Sequence, residues 1–187
     1  RRIQEDRDMT YEVYTGGPES AEGRQEREIR TYQLLSQLDI EFQRVDHEAV
    51  PTMEACRGID KALGISMCKN LFLTNAQKTN FYLLLMPGEK KFKTKDLSRQ
   101  IQSARLSFAG EEFLKEFLDI MPGAVSVMGL MNDREHRVQL LIDREVAEET
   151  YLGCHPCVNT SSIRVATGDI LEKFLPYTGH EYRVVDL

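Results

Sequence analysis

Between residues 151 and 160 the chain reads Tyr151-Leu152-Gly153-Cys154-His155-Pro156-Cys157-Val158-Asn159-Thr160, which gathers an imidazole, two thiols and three further side-chain hydrogen-bonding groups. No other stretch is so dense in chemistry. Three uses are open to it: a metal site, a redox pair, or the polar wall of a pocket. Cys154 and Cys157 have Cys-x-x-Cys spacing, but a structural zinc needs about four thiolate or imidazole donors. A second cluster is missing, since Cys56 and Cys68 fall on different predicted elements. A thioredoxin-like pair sits at a helix N-terminus after a strand, whereas here both flanks read as extended.

Other reaction types find little support. The chain has no Gly-x-Ser-x-Gly elbow and no Gly-x-x-x-x-Gly-Lys phosphate loop. What remains is a pocket built from Lys69, Asn70, His155 and Asn159 with the glycine-containing segment around Gly129. Such a set could hold a charged ligand and orient water. Lys90, Lys91, Lys93 and Lys95, with Phe92 among them, form the one clear basic patch. It reads either as a solvated turn or as an edge that contacts phosphates.

The elements that must position these groups follow from periodicity. Ile29, Tyr32, Leu35 and Leu38 give an amphipathic helix from Glu26 to about Asp39, and Phe42 to His47 alternates as a strand. Pro51-Thr52 opens a second helix with Thr52 as N-cap, Met53, Cys56, Ile59 and Leu63 on its inner face, and Gly64 as its stop. Residues 68–74 and 81–86 form a hairpin around the polar turn 75–80. Leu83-Leu84-Leu85 is apolar on both faces, as in a central strand.

Further along, Leu97 to Ile101 and Gly110 to Leu118 are helical, with a short strand at residues 105–108 between them. Val138 to Ile142 is a strand, followed by a short acidic helix over residues 143–149. Ser161 to Val165 is a strand, Thr167 caps a last helix ending at Pro176, and residues 181–185 close with a strand. Helices and hairpins interspersed in this way predict a mixed α/β (α+β) domain rather than a doubly wound one. Residues 1–25, broken by Gly16-Gly17-Pro18, read as an N-terminal extension to a domain spanning residues 26–187.

Composition bounds the function. Apolar residues make up 41% and charged residues 29% of the 187 positions, as in ordinary globular proteins. A net charge of -6 argues against broad nonspecific nucleic-acid binding, so any RNA must be met by a local patch. No run approaches the roughly 20 apolar residues that cross a bilayer, and the N-terminus is too charged for a signal peptide. The expectation is a cytoplasmic protein with no membrane partner and reduced thiols.

Three segments in order carry a resemblance: Lys69-Asn70-Leu71-Phe72-Leu73, Gly129-Leu130-Met131-Asn132-Asp133 and His155-Pro156-Cys157-Val158-Asn159-Thr160. With the final helix and strand, they resemble the YbaK/aminoacyl-tRNA deacylase family. Within it the likeness is to free-standing prolyl-tRNA editing proteins, which are similar to the editing insertion of bacterial prolyl-tRNA synthetase.

The resemblance implies a single domain with a mixed, strongly curved β-sheet flanked by helices. It also implies hydrolysis of the ester that joins a wrongly attached amino acid, typically alanine, to proline tRNA, without metal or other cofactor. Lys69 and His155 then match the substrate-binding lysine and pocket histidine. Asn70, Gly129, Leu130, Asn159 and Thr160 line the substrate pocket, with His155 and Asn159 facing Lys69-Asn70 across it. Lys90, Lys91, Lys93 and Lys95 meet the acceptor end of the mischarged tRNA, and prolyl-tRNA synthetase is a candidate partner. A non-catalytic module that binds a tRNA end or amino acid is the alternative.

Overall fold

The computed structural model describes residues 10–49 and 53–187. In chain order the elements are β1 (Tyr14–Thr15), α1 (Glu26–Gln37), β2 (Phe42–Asp46), α2 (Met53–Leu63), β3 (Cys68–Asn75), β4 (Phe81–Pro87), α3 (Thr94–Ile101), β5 (Leu106–Phe108) and α4 (Glu111–Leu118). A 3₁₀ helix (Val127–Asn132) then leads to β6 (Val138–Asp143), α5 (Arg144–Ala147), β7 (Tyr151–Cys154) and β8 (Ser161–Ala166). The chain closes with α6 (Thr167–Asp169), a π-helical turn (Ile170–Phe174), α7 (Leu175–Thr178) and β9 (Tyr182–Val185).

The strands make two sheets. One is antiparallel in the order β1-β2-β8-β7; the other is mixed, in the order β5-β3-β4-β6-β9. In the mixed sheet β3 pairs antiparallel with β4 and β5, whereas β4, β6 and β9 run parallel. The mixed α/β expectation therefore holds, with β4 at the centre as its apolar run predicts. The single, strongly curved sheet does not hold: the strands divide between two sheets, without strong curl. The reason lies in the partners of β8, which pairs with β2 on one side and β7 on the other.

Burial explains the layers. The main core draws on both sheets, with Leu35, Leu83, Leu118, Leu140, Ile163 and Phe174 all nearly inaccessible. The other face of the mixed sheet is covered by α3 through Leu97, and α2 covers β2 through Ile59 and Leu63. Alternation along β3 sends Phe72 to the main core and Leu73 to the face beneath α3. That alternation also decides where the neighbouring site residues point.

Local details depart from the sequence reading in two places. Cys56, expected in the core, is exposed; positions 55, 59 and 63, one helical turn apart, carry the buried stripe instead. Thr167 does not cap the last helix. Ala166 holds the N-cap position, and the Thr167 hydroxyl is buried without a hydrogen-bond partner. Pro176 does not end that helix either; the chain continues to Thr178 and stops at Gly179, whose φ of 78° is left-handed. A proline lacks the amide donor and crowds the preceding turn, and the π-helical turn lies just before it. Gly64 stops α2 with φ 67°, as expected. Pro51-Thr52 and the proposed Thr52 cap lie outside the described residues.

Candidate functional site

His155 follows β7 at the start of the connection to β8. Its Nδ1 lies 2.9 Å from the Ser161 carbonyl oxygen, which only accepts, so Nδ1 carries the proton and Nε2 holds a lone pair. No described residue hydrogen-bonds Nε2. Burial, first, and nearby His47 hold the imidazole below its ordinary pKa of 6.5, against the opposite pull of the Ser161 bond. The side chain is therefore neutral near pH 7, with one nitrogen fixed and the other available to accept a proton.

The loop carrying His155 is pinned from the other side by the 3₁₀ helix. Ser126 Oγ donates to the His155 carbonyl oxygen at 2.6 Å and accepts from the Met128 amide at 3.1 Å. Asn70 Oδ1, reaching from β3, accepts from the Val127 amide at 3.0 Å. Asn70 from distant β3 and the N-cap residue Ser126 thus satisfy two amides that the start of the 3₁₀ helix leaves without partners. Asn70 shapes the site as a support.

A second histidine completes the constellation. His47 lies just beyond β2, and its amide donates to the Thr160 carbonyl at 2.9 Å. Its Nδ1 faces the Glu48 carbonyl at 2.9 Å, and its Nε2 accepts from Ser162 Oγ at 2.8 Å. The His47 and His155 ring centroids are 6.1 Å apart. Asn159 is partly exposed, and its amide nitrogen lies 3.6 Å from where a Cβ on Gly123 would stand.

Behind the histidines lies a charged network. Ser161 Oγ donates to Asp46 Oδ1 at 2.6 Å, and Asp46 is paired with Arg24 and Arg44. Burial alone would raise the Asp46 carboxyl, but hydrogen bonds from Arg24, Arg44 and Ser161 hold it well below the usual carboxylate range. Buried Glu28 accepts from Tyr32 at 2.6 Å and pairs with Arg24 at 2.7 Å. The strand end whose carbonyl orients His155 is thereby held fixed.

Not every residue expected in the pocket is there. Lys69 and Asn70 are adjacent on a strand and point to opposite faces. Asn70 joins the His155 side, whereas Lys69 lines a groove of about 640 Å³ with Leu71, Phe92, Lys93, Lys95 and Arg99. Lys69 and His155 do not face each other across one pocket. Gly129 and Leu130 are core residues: Leu130 is 1% exposed, and a Cβ on Gly129 would stand 3.0 Å from Leu118 Cβ and 2.6 Å from Ile120 Cδ1. That glycine admits the end of α4, not a ligand.

The four patch lysines also divide. Lys91, Lys93 and Lys95 are exposed, but Lys90 donates to buried Asp143 at 2.9 Å and to the Leu187 backbone oxygen at 2.6 Å. It also accepts, through its own carbonyl, a hydrogen bond from the Lys69 ammonium. Lys90 is a structural ion-pair residue. Cys154 and Cys157 are each 1% exposed free thiols, with burial pushing the first up and the second up to about 12. Among the described residues no group of three or more His, Cys, Asp or Glu gathers to hold a metal, and no helix is long and apolar enough to cross a membrane.

Sequence reasoning missed His47, Ser126, Ser161 and Ser162. Spacing could not find His47, because the β2–β8 register, Asp46 opposite Ser161, is what delivers it to the His155 loop. A histidine at the last position of a predicted strand was the only available signal.

The family described as the aminoacyl-tRNA editing domain matches residues 47–173. The prolyl-tRNA editing protein ProX of Acetoanaerobium sticklandii is 31% identical over 153 residues, covering 82% of this chain and 93% of that protein. A prolyl-tRNA synthetase associated domain-containing protein of Danio rerio is 30% identical over 150 residues, 79% of this chain and 80% of that one. A crystal structure of a candidate trans-editing enzyme for prolyl tRNA synthetase shares the fold, with a TM-score of 0.64 at 16% identity over 87% of this chain and 97% of that one.

Proposed function

The chain belongs to the aminoacyl-tRNA editing domain family, and from that premise we propose that it deacylates mischarged tRNA in trans, with Ala-tRNA(Pro) as its substrate. The observation that carries the reading is the neutral His155 imidazole, oriented through Nδ1 and with no hydrogen bond to Nε2 among the described residues. An aminoacyl ester is already activated, so placing water and stabilising the developing oxyanion account for most of the rate, and no covalent nucleophile is required.

In this mechanism the ester end of the tRNA enters beside His155. Nε2 accepts a proton from water or from the ribose hydroxyl, and the Ser161 carbonyl supports the imidazolium that forms. The Asn159 amide donates to the ester oxygen as charge develops there. Thr160 holds the loop to His47 through its carbonyl. Asn70 and Ser126 are positioning residues that keep the His155 loop in register. Lys69 sits with Lys93 and Lys95 in the groove on the other face of β3, where these cations grip the tRNA backbone; exposed Lys91 lies next to them.

Preference for alanine over proline is a sieve of size. A pocket fitted to a methyl group rejects the cognate ring by exclusion, where added methylenes in a binding site alone change affinity by only ~1–3 kcal/mol each. Residues 26–187 form the editing domain in this reading, with residues 1–25 as an extension whose described part adds β1 to the antiparallel sheet and Arg24 to the Asp46 network, and the protein works in the cytoplasm alongside prolyl-tRNA synthetase. The test is release of alanine from Ala-tRNA(Pro), with serine- and proline-charged tRNA in parallel and a His155→Ala variant as control. Absence of hydrolysis on every small mischarged aminoacyl-tRNA rejects the proposal.

A further inference from the structure

Phe108 is the most exposed of the large hydrophobic residues described, at 63% of its surface. It lies on the edge strand β5, opposite Leu73 of β3, so its ring emerges on the face beneath α3. Phe92 meets it edge-on, with centroids 6.3 Å apart and planes at 70°, which props the Phe108 ring and leaves a broad face open. Leu71 makes the floor of the groove beside it. Lys69, Lys93, Lys95 and Arg99 surround that floor, opposed by Asp96 alone, so the groove carries a surplus of three positive charges in a chain of net charge -6. The Lys93, Lys95 and Arg99 side chains have no ion-pair partner among the described residues, unlike neighbouring Lys90.

An open aromatic ring inside a cluster of unpaired cations is complementary to a ligand that offers both a π-face and negative charge. Unpaired nucleotides do so: the base stacks on the ring while the phosphates run along the cations. Duplex RNA has its bases covered and gains only the charge term. We infer that the groove between α3 and β5 is a binding site for single-stranded RNA, with Phe108 stacking one unpaired base and Lys93, Lys95 and Arg99 holding its flanking phosphates. This rests on the editing reading for its source, unpaired nucleotides of a tRNA other than its ester-bearing terminus, and it concerns a surface on the opposite face of β3 from His155.

The chain contains no tryptophan, so Phe108→Trp places a single fluorophore at the stacking position. Titration of the full chain with an unpaired RNA octamer should quench that fluorescence saturably. A duplex of equal length and a polyglutamate peptide should each require at least about tenfold higher concentration. Lys93→Glu with Lys95→Glu should weaken the octamer roughly tenfold or more at low salt. In a parallel measurement that does not depend on the tryptophan, anisotropy of labelled octamer should show Phe108→Ala binding roughly tenfold more weakly than the unaltered chain. Equal quenching by duplex, equal binding of polyglutamate, or octamer affinity indifferent to Phe108→Ala overturns the inference. Neither readout involves hydrolysis. Deacylation without base stacking rejects the groove alone, and stacking without deacylation rejects the editing reading alone.

Discussion

Ser126 Oγ donates to the backbone carbonyl of His155 at 2.6 Å while accepting the Met128 amide, so one fully buried hydroxyl joins the start of the 3₁₀ helix to the loop that carries the imidazole. The contact spans 29 positions and couples the packing of the main core to the position of His155.

Ser126→Ala strands a carbonyl and an amide at once. Each buried group that loses its partner costs about 1–3 kcal/mol, and a loop displaced by about 1 Å loses up to roughly a hundredfold in rate. Urea unfolding should show reduced stability, and steady-state deacylation should show kcat falling about tenfold or more with KM nearly unchanged.

The pH dependence of His155 has a definite sign. Its folded pKa lies below 6.5, so the unfolded chain takes up this proton first. Lowering the pH through 6.5 therefore removes stability, until the folded group itself titrates and the loss levels off. Deacylation kcat/KM should stay level on descending to about pH 6.5 and then fall with an inflection below it. His155→Gln should lose that inflection together with most of the activity.

Gly129→Ala separates a packing glycine from a pocket glycine. The new methyl meets Leu118 Cβ at 3.0 Å and the Leu118 carbonyl at 3.1 Å, in addition to the mobile end of Ile120. Overpacking of this kind costs about 1–3 kcal/mol. Thermal unfolding should shift downward, whereas the ratio of kcat/KM between alanyl and seryl substrates should not change.

The thiols should react according to their burial. Cys68 and Cys157 are pushed up to about 12 by desolvation, and Cys154 is also raised. Iodoacetamide applied to the folded chain should modify Cys56, the exposed cysteine, and spare deacylation. All four should be modified in urea.

Lys90→Met should act on stability and Lys93→Ala on RNA. Without the Lys90 ammonium, Asp143, 1% exposed, keeps only the Glu145 amide among its described donors, at a cost of about 1–3 kcal/mol. Lys93 is exposed, and its removal should leave unfolding within about 0.5 kcal/mol. Filter binding should show the converse order, with Lys93→Ala weakening tRNA and Lys90→Met not.

Much of the framework was written in local pattern. The β3–β4 hairpin, the central place of β4, the stop at Gly64 and the inner face of α1 follow from alternation, turn residues and helical period, because each depends on neighbours within a few positions. The opposite facing of Lys69 and Asn70 was also available, since adjacent residues of a strand never share a face. The resemblance placed them together.

Returning to the ten residues from Tyr151 to Thr160, the sequence by itself determined that a histidine would sit in a polar connection between two strands. It could not supply what His155 faces. His47 arrives through the pairing of two strands more than a hundred positions apart, Ser126 through a 3₁₀ helix, and Asn70 through the opposite sheet. Only tertiary structure decided these, because contacts between distant segments are fixed by sheet partners and core packing, which leave no periodic mark on the chain.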